Sequence, residues 1–119
     1  TICGRTVHVL NTHLGLWPRE RPQQADRLLE LLSLSRRDLT ILMGDLNEWH
    51  GWGKSLRGLR RVFGSPAAPV TFPARWPVLA LDRIWIFPAQ ALLTVEAHDT
   101  PRSRLASDHL PVKADIYLP

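Results

Sequence analysis

The sequence predicts an α/β protein, a mixed sheet with helices on one face. Three observations carry that reading. A segment of helical periodicity lies between two apolar runs of strand length; later segments alternate apolar and polar residues; and acidic, amide and imidazole groups stand where apolar runs end. With 119 residues, 45% hydrophobic and 22% charged, the chain can bury one modest core, so one domain is expected. No apolar run approaches the roughly 20 residues that span a bilayer, and no basic, apolar, small-residue signal pattern opens the chain. A soluble protein is expected, with a cytoplasmic location favoured. The single Cys3 excludes an internal disulfide framework and a cysteine metal cluster.

Thr6 to Leu14 reads as the first strand, with Val7 and Val9 on one face and His8 and Leu10 on the other. Pro18 and Pro22 introduce a helix in which Ala25, Leu28, Leu29 and Leu32 fall at i, i+3, i+4 and i+7, leaving Asp26, Arg27 and Glu30 for water. Arg36 and Arg37 near its end complement the helix dipole. Leu39 to Met43 is the second strand. Trp49 to Gly53 is loop-like, and its Trp49 and Trp52 allow two readings, caps of the sheet edge or a platform beside a substrate entrance. In Lys54 to Phe63, Leu56, Leu59 and Phe63 line one helical side. Pro66 to Pro77, with four prolines, holds an extended loop. Leu79 to Phe87 is a buried strand with Asp82 at its entrance; Leu93, Val95 and Ala97 alternate in the next; a loop from His98 to Ser107 leads to the last, where Val112, Ala114, Ile116 and Leu118 alternate.

Two clusters carry the chemistry, Gly44-Asp45-Leu46-Asn47 after the second strand and Ser107-Asp108-His109-Leu110-Pro111 before the last. Together they point to metal-assisted cleavage of a phosphate ester. Such hydrolysis needs a water held in line, neutralised phosphoryl oxygens and help for the leaving oxygen. Asp45 and Asn47, two residues apart in an extended turn, project to one side, so a carboxylate can orient the water while an amide donates to a phosphoryl oxygen. A Gly-Asp-x-Asn sequence taken alone is equally a β-turn. A hard divalent cation, Mg2+ or Mn2+, prefers oxygen ligands and keeps several waters, so one or two carboxylates suffice, and Asp45 and Asp108 fit.

Four blocks, Asn11-Thr12-His13-Leu14-Gly15, Gly44-Asp45-Leu46-Asn47-Glu48, Leu81-Asp82-Arg83-Ile84 and Ser107-Asp108-His109-Leu110-Pro111, resemble in order and spacing those of the endonuclease/exonuclease/phosphatase superfamily, which includes deoxyribonuclease I, abasic-site endonucleases, neutral sphingomyelinases and inositol-polyphosphate phosphatases. The look is nearest to small bacterial family hydrolases. The resemblance implies a deoxyribonuclease I-like four-layer α/β sandwich, a Mg-dependent phosphoesterase or nuclease, and catalytic roles for Asp45, Asn47, Asp82, His109 and His13. His109 would face the scissile phosphate with Asp82 as its carboxylate partner, Asp108 would turn toward the metal, and His13 would supply a second imidazole. A whole domain of that kind has roughly 250 residues, and its early strands carry an Asn and a metal-binding Glu. Residues 1–119 are therefore expected to be a single partial domain, the C-terminal half. Glu48 is the one acid adjoining the motif that could replace the missing Glu. The alternative is a catalytically incomplete half-domain acting as a binding or assembly module.

The net charge of +4 favours an anionic partner, a phosphate ester belonging to nucleic acid or a phospholipid head group. Grouped arginines such as Arg19/Arg21 and Arg102/Arg104 read rather as a solvated face, and Phe72 or Arg75 is placed to touch substrate. Because each half of such a fold supplies one of two facing sheets, the chain is expected to expose Val7/Val9, Ile84/Ile86 and Val112/Ala114/Ile116. It would then pair as a homodimer or with a separate N-terminal half.

Overall fold

The computed structural model describes residues 1–34, 39–50 and 53–118. Arg36, Arg37 and Trp52, to which the sequence assigned a helix-dipole role and a platform, lie outside these residues. The elements run β1 (Val7–His13), α1 (Arg21–Leu34), β2 (Leu39–Asp45), a 3-10 turn (Lys54–Leu56) leading into α2 (Arg57–Phe63), β3 (Asp82–Phe87), a second 3-10 turn (Ala89–Ala91), β4 (Leu92–Ala97), α3 (Ser103–Ala106) and β5 (Val112–Ile116). β1 and β2 are parallel, β2 and β3 antiparallel, in the order β1-β2-β3; β4 and β5 form a separate antiparallel pair. This is the expected mixed α/β architecture. Among the described residues no helix is long and apolar enough to cross a membrane.

Alternation along the strands assigns each face a job. Leu10, Leu42, Trp85 and Phe87 point toward α1 and α2 and pack with Leu14, Ala25, Leu28, Leu32, Leu56, Leu59 and Phe63. The helical period of α1 thus buries Ala25, Leu28 and Leu32 and packs Leu29 partly buried beside them, and Phe63 meets Trp85 with ring centroids 6.0 Å apart. The opposite face carries Val7, Val9, Ile41 and Ile84. There a smaller cluster forms around Leu39, Ile86 and Ala91, with Leu92, Ile116 and Leu118 from the β4–β5 pair folded over one side. Ile86, expected to be exposed, is buried by that hairpin; Val9, farther from it, is open to solvent.

Two expectations need correction. The loop from His98 to Ser107 contains α3, fastened by a reciprocal pair in which Ser103 N–H donates to Thr100 Oγ1 at 3.0 Å and Thr100 N–H to Ser103 Oγ at 2.8 Å. The Thr-Pro step at 100–101 was the signal for it, since a hydroxyl cap followed by proline favours a helix start. In β4 the pairing register shifts between Leu92 and Thr94. The extra residue changes the parity of the strand, so Leu92 turns inward and Leu93 lies in solvent, while Val95 and Ala97 remain half-buried.

Gly44 fixes where the site begins. Its φ is +138°, and a Cβ there would stand 1.7 Å from the Thr12 carbonyl oxygen on β1. Gly44→Ala should therefore part β1 from β2 beside His13 and Asp45. A loss of stability of several kcal/mol is expected, visible as a lower urea midpoint; an unchanged midpoint would show that the strands close up around the methyl group.

Candidate active site

Register brings the predicted groups together. His13 on β1 pairs with Asp45 on β2, and Asp45 with Asp82 on β3, so three side chains stand in a row across one end of the sheet, on the face away from the helices. Adjacent Arg83 points the other way, toward α2, and is buried. There burial, reinforced by Arg60, pushes its guanidinium below its ordinary value against the opposing pull of Glu48 and Asp82. The sheet geometry continues past the strands, with Leu14 N–H on the Asp45 carbonyl at 2.9 Å and Leu46 N–H on the Leu81 carbonyl at 3.0 Å.

His109 closes the row from the loop before β5. Its Nδ1 is 2.7 Å from Asp82 Oδ2 and its Nε2 3.9 Å from Asp45 Oδ2, while His13 Nε2 stands 3.6 Å from the same Asp45 oxygen. Asp82 thus fixes the ring and leaves Nε2 facing the pocket. Partial burial alone would lower the imidazole pKa; the hydrogen bond to Asp82 and the charges of Asp82, Asp45 and Asp108 outweigh it and hold the pKa above its ordinary 6.5. The charged pair therefore adds stability that is fully present below 6.5 and lost as pH rises through the higher folded-state value. In Asp82→Asn the metal-free ring should titrate lower than in the parent chain. Proton NMR of the imidazole checks this, and an unmoved midpoint would show that Asp82 does not sustain the charge.

Two further residues hold this pair in place. Thr71, fully buried, donates its hydroxyl to Asp82 Oδ2 at 2.6 Å, and Phe72 packs on the His109 ring at 4.8 Å between centroids. Both sit in a hairpin closed by the Phe72–Leu79 bridge, and Ala74 N–H in the same hairpin donates to the Asp108 carbonyl at 2.7 Å. The segment was singled out for substrate contact. Phe72 does line the pocket, Arg75 is not among the lining residues, and the role of Thr71 went unread.

Asn47 is held differently from the extended turn expected. It has φ +49° and is buried; its N–H donates to Asp45 Oδ1 at 2.8 Å and its side-chain amide to the Leu14 carbonyl at 2.6 Å. One amide N–H is therefore spent on locking the loop after β1 to the loop after β2, which leaves the second N–H for a ligand. Glu48, the acid adjoining the motif, is also buried, accepting from the Ser55 hydroxyl and, at 3.3 Å, from His50 N–H. It lines a neighbouring hollow with Arg21 and Lys54 and takes no part in the pocket of Asp45.

That pocket holds about 520 Å3 and is lined by His13, Leu16, Asp45, Asn47, Trp49, Phe72, Leu81, Asp82, Ser107, Asp108 and His109. All five predicted catalytic residues and the predicted metal ligand Asp108 meet there. Three carboxyl groups face it with no lysine or arginine among the described lining residues, a charge pattern that repels a phosphate and suits a divalent cation. The donor set fits a hard metal. Asp45, Asp82 and His109 place ligand atoms within 4.8 Å of one another, but the pairing of Asp82 with His109 Nδ1 makes those two an orienting couple, and Asp108 stands outside this tight group, exposed, with Oδ1 3.4 Å from Ser107 Oγ.

A mixed sheet backed by helices, with an acid and imidazole row at one edge, has the make-up of a hydrolytic phosphoesterase or nuclease fold. Residues 2–109 match the model of the Endonuclease/Exonuclease/phosphatase family, and the chain belongs to that family. It is 35% identical to the uncharacterized protein YbhP of Escherichia coli K12, over 97% of this chain and 48% of that protein, and equally so to YbhP of Shigella flexneri. The chain thus spans about half the length of the curated relatives it matches. Among solved structures it resembles the endonuclease/exonuclease/phosphatase from Bacteroides vulgatus (TM-score 0.79, 19% identity, 98% of this chain and 51% of that one). It also resembles truncated Caenorhabditis elegans TDP2 (TM-score 0.62, 22% identity, 99% and 57%).

Proposed function

We propose that the chain contributes the phosphate-facing half of a Mg-dependent phosphoesterase. The observation that supports this most directly is the row His13, Asp45, Asp82 set by strand register and capped by His109 at 2.7 Å from Asp82. Asp45 and Asp108 would hold Mg2+ or Mn2+, which when bound neutralises charge on the phosphoryl oxygens. Asp45, one oxygen fixed by the Asn47 N–H, orients the attacking water; protonated His109 donates from Nε2 to a phosphoryl oxygen, with His13 at the other side of the same carboxylate. The water oxygen bonds to phosphorus, the ester P–O bond breaks, and the proton released by the water ends on the departing alcohol.

Hydrolysis of bis(p-nitrophenyl) phosphate tests the reading. Turnover should require Mg2+ or Mn2+, vanish in EDTA and return on adding the metal back; metal-independent turnover would sink the role of the carboxylates. A second reading, a catalytically incomplete binding or assembly module, is favoured by one observation. Glu48, the acid adjoining the Asp45-Asn47 motif, is tied to Ser55 outside the pocket. Metal binding without turnover would select it.

A further inference from the structure

Large apolar side chains stand uncovered around the mouth of the pocket. Leu16 and Trp49, both lining it, are 66% and 54% exposed; Trp17, next to Leu16, is 70% exposed, Trp76 80% and Leu105 75%. The last two stand on segments that border the pocket. Trp76 sits in the hairpin whose Phe72 packs on His109 and whose Ala74 is bonded to Asp108, and Leu105 lies on α3, two residues before the lining Ser107. An exposed arginine accompanies each apolar group: Arg19 near Trp17, Arg75 beside Trp76 and Arg102 at the head of α3. None of these three makes an ion pair among the described residues.

We propose that this rim docks on an anionic bilayer, which narrows the substrate of the pocket to a phospholipid phosphodiester; the substrate half of the inference rests on the phosphoesterase reading above. Tryptophan and leucine flanked by arginine is the composition of an interfacial anchor, with indole rings and aliphatic tips at the headgroup boundary and guanidinium groups among the lipid phosphates. Nucleic acid suits the rim less well. Bases stack on aromatic faces, and Leu16 and Leu105 offer none. The inward charge pattern agrees, because the rim attracts anionic lipid while the pocket admits a phosphate only with a cation.

The test is co-sedimentation with vesicles of phosphatidylcholine, with and without phosphatidylglycerol, read together with tryptophan emission. The chain should bind the phosphatidylglycerol vesicles with a blue shift, more weakly at high salt. Trp17→Ala combined with Trp76→Ala should weaken binding at least ~tenfold, and each arginine removed by roughly fivefold. Both tryptophans are exposed, so the double variant should fold, and its hydrolysis of bis(p-nitrophenyl) phosphate should be unchanged. Failure of the parent chain to bind phosphatidylglycerol vesicles, or undiminished binding by the double variant, overturns the proposal. So does binding of single-stranded DNA that displaces the vesicles and is lost in the same variant. Vesicle binding by a chain that hydrolyses no phosphodiester would uphold the docking surface and overturn the phosphoesterase reading, so the two fail separately.

Discussion

His109→Ala is expected to cut phosphodiester turnover roughly 100- to 1000-fold, about 3 to 4 kcal/mol of transition-state stabilisation, the usual loss for one donor aimed at developing charge. The donor is prepared before substrate arrives. Asp82 holds Nδ1, Thr71 holds Asp82, and Phe72 covers the ring, so Nε2 needs no reorganisation to meet a phosphoryl oxygen. Removal should spare the fold, because the neighbouring Leu110 is the residue of this loop that enters the interior and its N–H stays bonded to the Thr71 carbonyl at 2.9 Å. Asp108→Ala should abolish turnover by another route, weakening Mg2+ binding while His109 remains poised. Calorimetric titration with Mg2+ separates the two: binding kept in His109→Ala and weakened in Asp108→Ala is expected. Parent-level turnover in both variants would remove this pocket from consideration.

How far the sequence disclosed this site depends on how local each signal was. The alternation of Val7 to Leu10 and the i, i+3, i+4, i+7 series from Ala25 to Leu32 are properties of single elements: Leu10 lies on the helix-covered face with Val7 and Val9 on the other, and the apolar side of α1 packs into the core. Asp45, Asp82 and His109 were legible because each stands at the end of an apolar run in a recognisable block, and strand ends in such a sheet converge on one edge. What escaped notice was set between elements. The hydroxyl of Thr71 reaches Asp82 only because a hairpin folds eleven positions back on itself, and no spacing rule announces that contact. The burial of Glu48 depends on the approach of Ser55. The inward turn of Leu92 depends on a bulge, whose single extra residue reverses parity without any glycine to mark it. Periodicity describes an element, whereas these features belong to the fit between two.

The same distinction bears on the open sheet face, from which association is expected: a homodimer, or a complex with a separate N-terminal half, joined across β1 and β2. On the helical face α1 and α2 cover the strands. On the other, Val9 is 53% exposed and Val7, Ile41 and Ile84 are half-buried around a small cluster that the β4–β5 pair covers on one side only. Covering this row removes further apolar surface from water, at about 25 cal/mol per Å2, and adds to the roughly 800 Å2 per side that a stable interface buries. A second copy could supply a like face about a two-fold axis, because an apolar sheet surface is complementary to itself. Light scattering at micromolar concentration should return at least twice the 13.5 kDa of one chain or, without the other half, a poorly cooperative unfolding transition. Val9→Asp should dissolve the assembly, since a carboxylate would then be buried opposite its own symmetry mate, while α1, α2 and their core stay intact. A monomeric parent chain with sharp unfolding would mean that the row from Val7 to Ile84 is stable in water as it stands.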